Sequence, residues 1–191
     1  MEAKIEEVKK MYANFEKDTA VYREAAACSK GCAYCCTDAG RIDTTSMEGV
    51  IIRQAIEKMP RSRQTQVKKA LARDMKKREA GKSYVCPFLQ KNRACMIYPE
   101  RPFACRRVYS LHVCTEEKPP QLHRQVMERA AETVKALQRQ DLNGYSGHLS
   151  YILHMLEAPR FMQTYMAGES KPEEVMAFGK SHGIVINKMV A

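Results

Sequence analysis

Apolar residues recur three and four positions apart from the start of the chain: Ile5, Val8, Tyr12, Phe15, Tyr22 and Ala26, with polar Thr19 filling the one gap in the register. Lys and Glu occupy the other faces, so the spacing predicts a long amphipathic helix. Ser29-Lys30-Gly31 ends it. A second helix is predicted from about Thr45, where Thr45 and Glu48 fit a capping box, Ser46 being the alternative cap. Met47, Val50, Ile51 and Ala55 give its apolar face, and Pro60 closes it. A third is predicted from about Ser62 to Ala80, with Gly81 past its end as a natural terminator. Its stripe of Val67, Ala70, Leu71 and Met75 is thin, and the remaining faces are basic.

The pattern changes between Ser83 and Ser110, where Cys, Pro and aromatic residues crowd short apolar runs. Val85 to Leu89 and Cys95 to Tyr98 read as short extended pieces around a turn at Lys91-Asn92-Arg93. Pro102 suits the first turn of a short helix carrying Cys105. Helical periodicity returns with Leu122, Val126, Val134 and Leu137, then with Leu149, Ile152, Leu153 and Leu156. Asp141 to Gly147 reads as a loop with two glycines. Ser170 and Glu173 flank Pro172 in a helix-start signal. The expected fold is mainly α: a small helical-bundle scaffold with two irregular cysteine-rich segments around a metal centre. Residues 1–191 are expected to form a single domain, with a cysteine-rich core over 28–109 and helical extensions on both sides.

The chain has 191 residues, 45% of them hydrophobic, which is enough for a core. No apolar run approaches the roughly 20 residues of a membrane span. Met1 to Lys10 is charged and lacks the apolar stretch of a signal peptide, so a cytoplasmic location is expected. That bears on the 8 cysteines. Cytoplasmic thiols stay reduced, and reduced cysteines in tight groups point to metal before disulfides. The formal net charge of +10 would draw the chain to polyanions, but every metal-bound thiolate adds a negative charge that this sum omits.

The first group reads Cys28-Ser-Lys-Gly-Cys32-Ala-Tyr-Cys35-Cys36. Such short spacings let one turn present several thiolates, with backbone N–H groups aimed at sulfur. Side chains of adjacent residues usually diverge, so Cys35 and Cys36 are expected to serve two irons of one cluster, two metals, or one metal and one packing role. The second group holds Cys86, Cys95 and Cys105. Cys86 precedes a proline, as the last ligand of many iron–sulfur motifs does. The gaps of eight and nine residues are long for a zinc finger and suit a loop wrapped around a larger inorganic object. The candidate metal ligands are therefore Cys28, Cys32, Cys35, Cys36, Cys86, Cys95 and Cys105. Cys28-x3-Cys32-x2-Cys35 also matches the radical S-adenosylmethionine spacing, but the repeated strands of that fold are missing from the pattern.

Taken together, Cys28, Cys32, Cys35 and Cys36, then Cys86-Pro-Phe-Leu, Cys95-x-Ile-Tyr, Arg101-Pro102 and Cys105-Arg106 resemble the CxxCxxCC family of zinc- or iron-chelating domains, also called the YkgJ family. The resemblance covers roughly residues 28 to 109, and Cys114 lies outside it. It implies a bound metal. A related cysteine pattern occurs in a flagellin lysine N-methylase linked to an iron–sulfur cluster and S-adenosylmethionine, which implies redox or group-transfer chemistry as one reading.

The metal stays open on the residues alone, because thiolate suits both zinc and iron. The adjacent pair, the Cys-Pro step and the wide spacings favour an iron–sulfur cluster of the 4Fe-4S type, with zinc as the alternative. Three functions follow: an iron–sulfur protein with a redox or cluster-dependent role, a structural zinc module for interactions, and a cluster-dependent methyltransferase-like enzyme. No catalytic residue, substrate or redox partner is assigned. Arg101, Arg106 and Arg107 are candidates for compensating thiolate charge. Tyr34, Tyr98 and Phe103 are expected to wall the centre. The basic run Arg61 to Arg78 has no aromatic for base stacking and reads as a solvated face rather than a nucleic-acid surface.

Overall fold

Thr19 divides the first predicted helix in two. Its hydroxyl donates to the Phe15 carbonyl at 2.6 Å, and its backbone leaves the helical region at φ −112°, ψ 12°. Hydroxyl back-bonding of this kind bends or ends helices. The products are α1 (Glu2–Asp18) and a short α2 (Ala20–Glu24). Ile5, Val8, Tyr12 and Phe15 face the core as their spacing requires. The structure is a computed structural model and describes residues 1–37, 42–82, 85–169 and 172–189.

After the one-turn α3 (Tyr34–Thr37) and β1 (Asp43–Thr45), the capping box forms. The Thr45 hydroxyl accepts from the Glu48 N–H at 3.3 Å, and the Glu48 carboxylate accepts from the Thr45 N–H at 2.8 Å. This opens α4 (Ser46–Glu57), buried from Ser46 through Ile52. Pro60 does not close α4. It sits immediately before α5 (Arg61–Glu79), where its fixed φ suits a helix start. Val67 and Leu71 turn inward on α5 as predicted, and so does Asp74.

The cysteine-rich segment is described from Val85; Ser83 lies outside the described residues. Among the described residues of the segment only Leu89 and Cys95 bridge as strands do, and Met96 to Glu100 is turn rather than the expected extended piece. Arg93, at φ 64°, makes the reversal, with Gln90 N–H donating to the Ala94 carbonyl at 2.9 Å. Then come α6 (Phe103–Arg106), α7 (Arg124–Gln140), β2 (Tyr145–His148), α8 (Leu149–Glu157), α9 (Pro159–Ala167), α10 (Pro172–His182), β3 (Val185–Ile186) and a 3-10 turn at Asn187–Met189. Pro172 begins α10, while the expected cap Ser170 lies outside the described residues.

The segment read as a loop over Asp141 to Gly147 runs into the middle strand of a three-stranded antiparallel sheet, in the order β1-β2-β3. Asp43 pairs with His148, Thr45 with Ser146, and Tyr145 with Ile186. The partners lie far away in sequence, which is why no local period announces the strand. Gly147 is required there: a Cβ would stand 2.8 Å from Ile184 Cγ1 and 3.3 Å from its Cα. Around this small sheet α4 packs on α8, α1 on α7 and α4, and α5 on α8. Gly49 permits the α4–α8 approach, since a Cβ there would lie 2.6 Å from Leu156 Cδ1. Among the described residues no helix is long and apolar enough to cross a membrane.

Candidate metal centre

Three stretches of chain bring the candidate cysteines together. Cys28 and Cys32 lie in the loop after α2, where Gly31 at φ 90° permits the turn closed by Cys32 N–H on the Ser29 carbonyl at 3.0 Å. Cys35 and Cys36 ride on α3, which the fully buried Ala33 anchors. Cys86 joins this stretch directly, its N–H donating to the Cys36 carbonyl at 2.7 Å. Arg93 adds a second tie, from its Nε to the Gly31 carbonyl at 3.1 Å.

Cys105 arrives on α6, and Glu48 sets where α6 begins. Glu48 Oε1 accepts the Phe103 N–H at 2.7 Å and the Tyr12 hydroxyl at 2.6 Å. One buried carboxylate thus caps α4 and also receives the first N–H of α6. The Phe103 ring is buried with its edge against Phe15, centroids 4.7 Å apart. Cys86, Cys95 and Cys105 pack against a cluster that includes Ile42, Ile52, Phe88, Ile97 and Leu149.

Among Cys35, Cys86, Cys95 and Cys105, every pair is close enough for a charge on one thiol to act on the other. The adjacent thiols act on one another: Cys36 lowers the Cys35 thiol to about 7, and Cys35 raises Cys36. Burial pushes Cys86 up to about 12 and also raises Cys95 and Cys105. Opposing this, the Phe88 backbone eases ionisation of Cys86 and the Ile97 backbone that of Cys95, each two residues on. Amides donated to sulfur in this way stabilise thiolate.

The donor set fits a soft metal. The thiols are gathered, supplied with amide donors and mutually repulsive once ionised, so a bound cation relieves what burial and neighbouring charge oppose. Among the described residues no three His, Cys, Asp or Glu side chains already stand in an arrangement that could hold a single ion. The thiols share one region and must rotate to close on a metal.

The neighbouring groups divide. Arg101 faces the thiols and eases ionisation of Cys95 and Cys105. Arg106 binds Glu16 at 2.8 Å, the carbonyls of Pro99 and Arg101, and the face of the Tyr12 ring. Arg107 is exposed. Phe103 walls the centre as expected and Tyr34 is half-buried, but Tyr98 is exposed and stacks under Arg101 at 4.0 Å.

Cys28 and Cys32 are exposed. Cys28 feels Cys32, Cys35 and Cys114, so the structure brings in the one cysteine left outside the sequence pattern. Three other residues carry no local signal for their roles here: Glu48 at α6, Arg93 at Gly31, and Asp74. The Asp74 carboxylate accepts Ser150 Oγ at 2.6 Å and Arg78 Nε at 2.9 Å, and its charge reaches Cys86.

Fold and site together define a helical, thiol-rich metal-chelating protein. The chain belongs to the CxxCxxCC family, described as "Putative zinc- or iron-chelating domain", whose model matches residues 27–131. No curated protein and no solved structure matches the chain.

Proposed function

We propose that this protein holds an iron–sulfur cluster on Cys35, Cys86, Cys95 and Cys105 and uses it in electron transfer, sensing or a cluster-dependent reaction in the reducing cytoplasm. The observation that carries the reading is the mutual proximity of these four thiols, drawn from three separate stretches of chain. A 4Fe-4S cluster takes four thiolates and, when bound, supplies one-electron redox chemistry. The wide spacing from Cys86 to Cys105, the Cys86-Pro87 step and the apolar packing behind three of the sulfurs support the same choice. An apolar shell limits water and tunes potential. Cys36 lowers the Cys35 thiol, Arg101 offsets charge, and Glu48 holds the helix of Cys105 in register.

Anaerobic purification with metal analysis tests this. Brown protein with a broad absorbance near roughly 400 nm and stoichiometric iron is the expected result. Colourless protein with stoichiometric zinc and no iron overturns it, leaving a structural zinc module.

A further inference from the structure

Arg63, Gln66, Ala70, Arg73 and Lys77 recur three and four residues apart on α5 and so share one flank of that helix. The start of this flank lies against the cysteine-rich segment. Arg63 Nη1 is 4.0 Å from Met96 Sδ, and Met96 follows Cys95 directly. An open groove of about 310 Å³ runs between Arg63 and Gln66 on α5 and the stretch Leu89-Gln90-Lys91-Asn92, which belongs to the reversal joining Cys86 to Cys95. Its polar lining offers donors. The amide oxygens of Gln66 and Asn92 are spent on Arg63 and on the Ala94 N–H, at 3.3 Å and 3.1 Å, which turns their NH2 groups to other partners. Arg63, Arg73, Lys77 and Lys91 are exposed. The acids of α5 do not answer these cations: Asp74 is buried against Arg78 and Ser150, and Glu79 stands 4.0 Å from His182. Lys68, on another flank, pairs with Glu157 of α8 at 3.6 Å. Among the described residues no ion pair engages Arg63, Arg73, Lys77 or Lys91.

We infer that this strip, Arg63, Arg73 and Lys77 with Lys91, docks an acidic electron-carrier protein beside the cysteine centre. The inference deepens the proposed function and rests on it for the electron's destination. The reduced carrier gives up one electron, the iron–sulfur centre takes it, and no proton or covalent bond changes hands. Uncompensated cations around a groove of amide donors call for an acceptor-only, negatively charged group, which carboxylates are. Electron-transfer encounters are small and are steered by charge more than held by apolar area. The groove matches that balance, since Leu89 is the apolar member of its lining. Arg63 against Met96 sets a docked partner one residue from Cys95. A nucleic acid is the poorer match, because no aromatic lies between Arg61 and Lys82 for bases to stack on.

The test mixes the full chain, purified anaerobically, with an acidic plant-type 2Fe-2S ferredoxin. Carbodiimide joins lysine amines to carboxylates in direct contact, and peptide mapping of the unmutated protein is expected to place the links at Lys77 and Lys91. Links spread equally to Lys10 on α1 and Lys135 on α7, or no links, overturn the inference. Arg63→Glu combined with Lys91→Glu is expected to weaken binding at least about tenfold at low salt. Lys10→Glu combined with Lys135→Glu makes the same change in net charge and is expected to weaken it less than about twofold. Equal losses in the two double variants overturn the inference, because they report net charge and not a docking strip. Single-stranded DNA of about 20 bases that binds through Arg63 and Lys91 more tightly than the ferredoxin, at roughly 0.15 M salt, overturns it in favour of a nucleic-acid surface. In stopped-flow mixing of reduced ferredoxin with the iron-loaded chain, the first double variant is expected to slow electron transfer by the factor it costs in binding. Ferredoxin linked at Lys91 to a chain without iron refutes the cluster alone. An iron-loaded chain with its links elsewhere refutes the docking strip alone, so the two failures are distinguishable.

Discussion

The Phe103 N–H lies 2.7 Å from Glu48 Oε1, so the residue that completes the cap of α4 also fixes the start of the helix bearing Cys105. The other oxygen accepts from the Thr45 N–H at 2.8 Å and the Thr45 hydroxyl at 3.0 Å, and Tyr12 completes the set at 2.6 Å. This carboxylate links α1, α4 and α6 at one buried point.

Glu48→Ala strands the Tyr12 hydroxyl and two backbone donors in the core. Each buried unsatisfied group costs about 1–3 kcal/mol, and the losses overlap, so a destabilisation of about 3–5 kcal/mol is expected. Glu48→Gln keeps the shape and one acceptor oxygen and is expected to cost about 1–2 kcal/mol. Urea unfolding of the metal-free chain measures both. Metal retention against a chelator is expected to fall in the same order, because α6 loosens with its cap.

Among Cys35, Cys86, Cys95 and Cys105, Cys35 is expected to be the most readily alkylated in the metal-free protein near neutral pH. Cys36 lowers Cys35 to about 7, whereas burial raises Cys86, Cys95 and Cys105. The thiolate is the reactive form, so the rate at Cys35 rises through pH 7 and levels above it. Cys36→Ala removes this influence and shifts that midpoint upward. Iodoacetamide labelling with peptide mapping, from pH 6 to 9, reads both outcomes, and an unshifted midpoint would show that Cys36 is not the cause.

Arg93 adopts φ 64°, which costs a side-chain-bearing residue about 1–2 kcal/mol, and it donates to the Gly31 carbonyl. Arg93→Gly relieves the first and removes the second. Because the lost bond is exposed and worth about 1 kcal/mol, metal-free stability should stay within about 1 kcal/mol of the original. Metal affinity is expected to weaken by about fivefold, the equivalent of that bond, since the two cysteine segments lose a direct tie. Chelator competition separates this result from a purely structural loss.

Asp141 is buried between the Tyr165 hydroxyl at 2.7 Å and Lys4 at 3.7 Å. Burial outweighs these partners and raises its carboxyl above the ordinary 3.8. The folded chain therefore binds this proton more tightly than the unfolded chain. Its contribution is fully present below pH 3.8 and is lost as pH rises through the raised folded value. Asp141→Asn does not titrate, so the wild type should lose stability relative to the variant as pH climbs from about 4 to 7. Urea midpoints at several pH values test this, and parallel curves would refute it.

Much of this protein is determined locally. The 3/4 spacing of Ile5 to Phe15, the Thr45–Glu48 box and the stripe of Val67 and Leu71 each specify a helix from neighbours within one or two turns, and each forms. The cysteine spacing, Cys86-Pro-Phe-Leu and Cys105-Arg106 identify the metal-chelating family for the same reason: the pattern is written along the chain. What depends on residues distant in sequence waited for the fold. Thr19 ends α1 through a hydroxyl bond that competes with the helix ladder. β2 exists because β1 and β3 flank it. Cys35 comes within reach of the charge of Cys86, Cys95 and Cys105, and Ser110 is bonded to both Ala27 and Cys28, through contacts between residues far apart in the chain. Local sequence sets backbone preference and apolar period. Which thiols become neighbours is settled only when long-range hydrogen bonds and packing close the chain on itself.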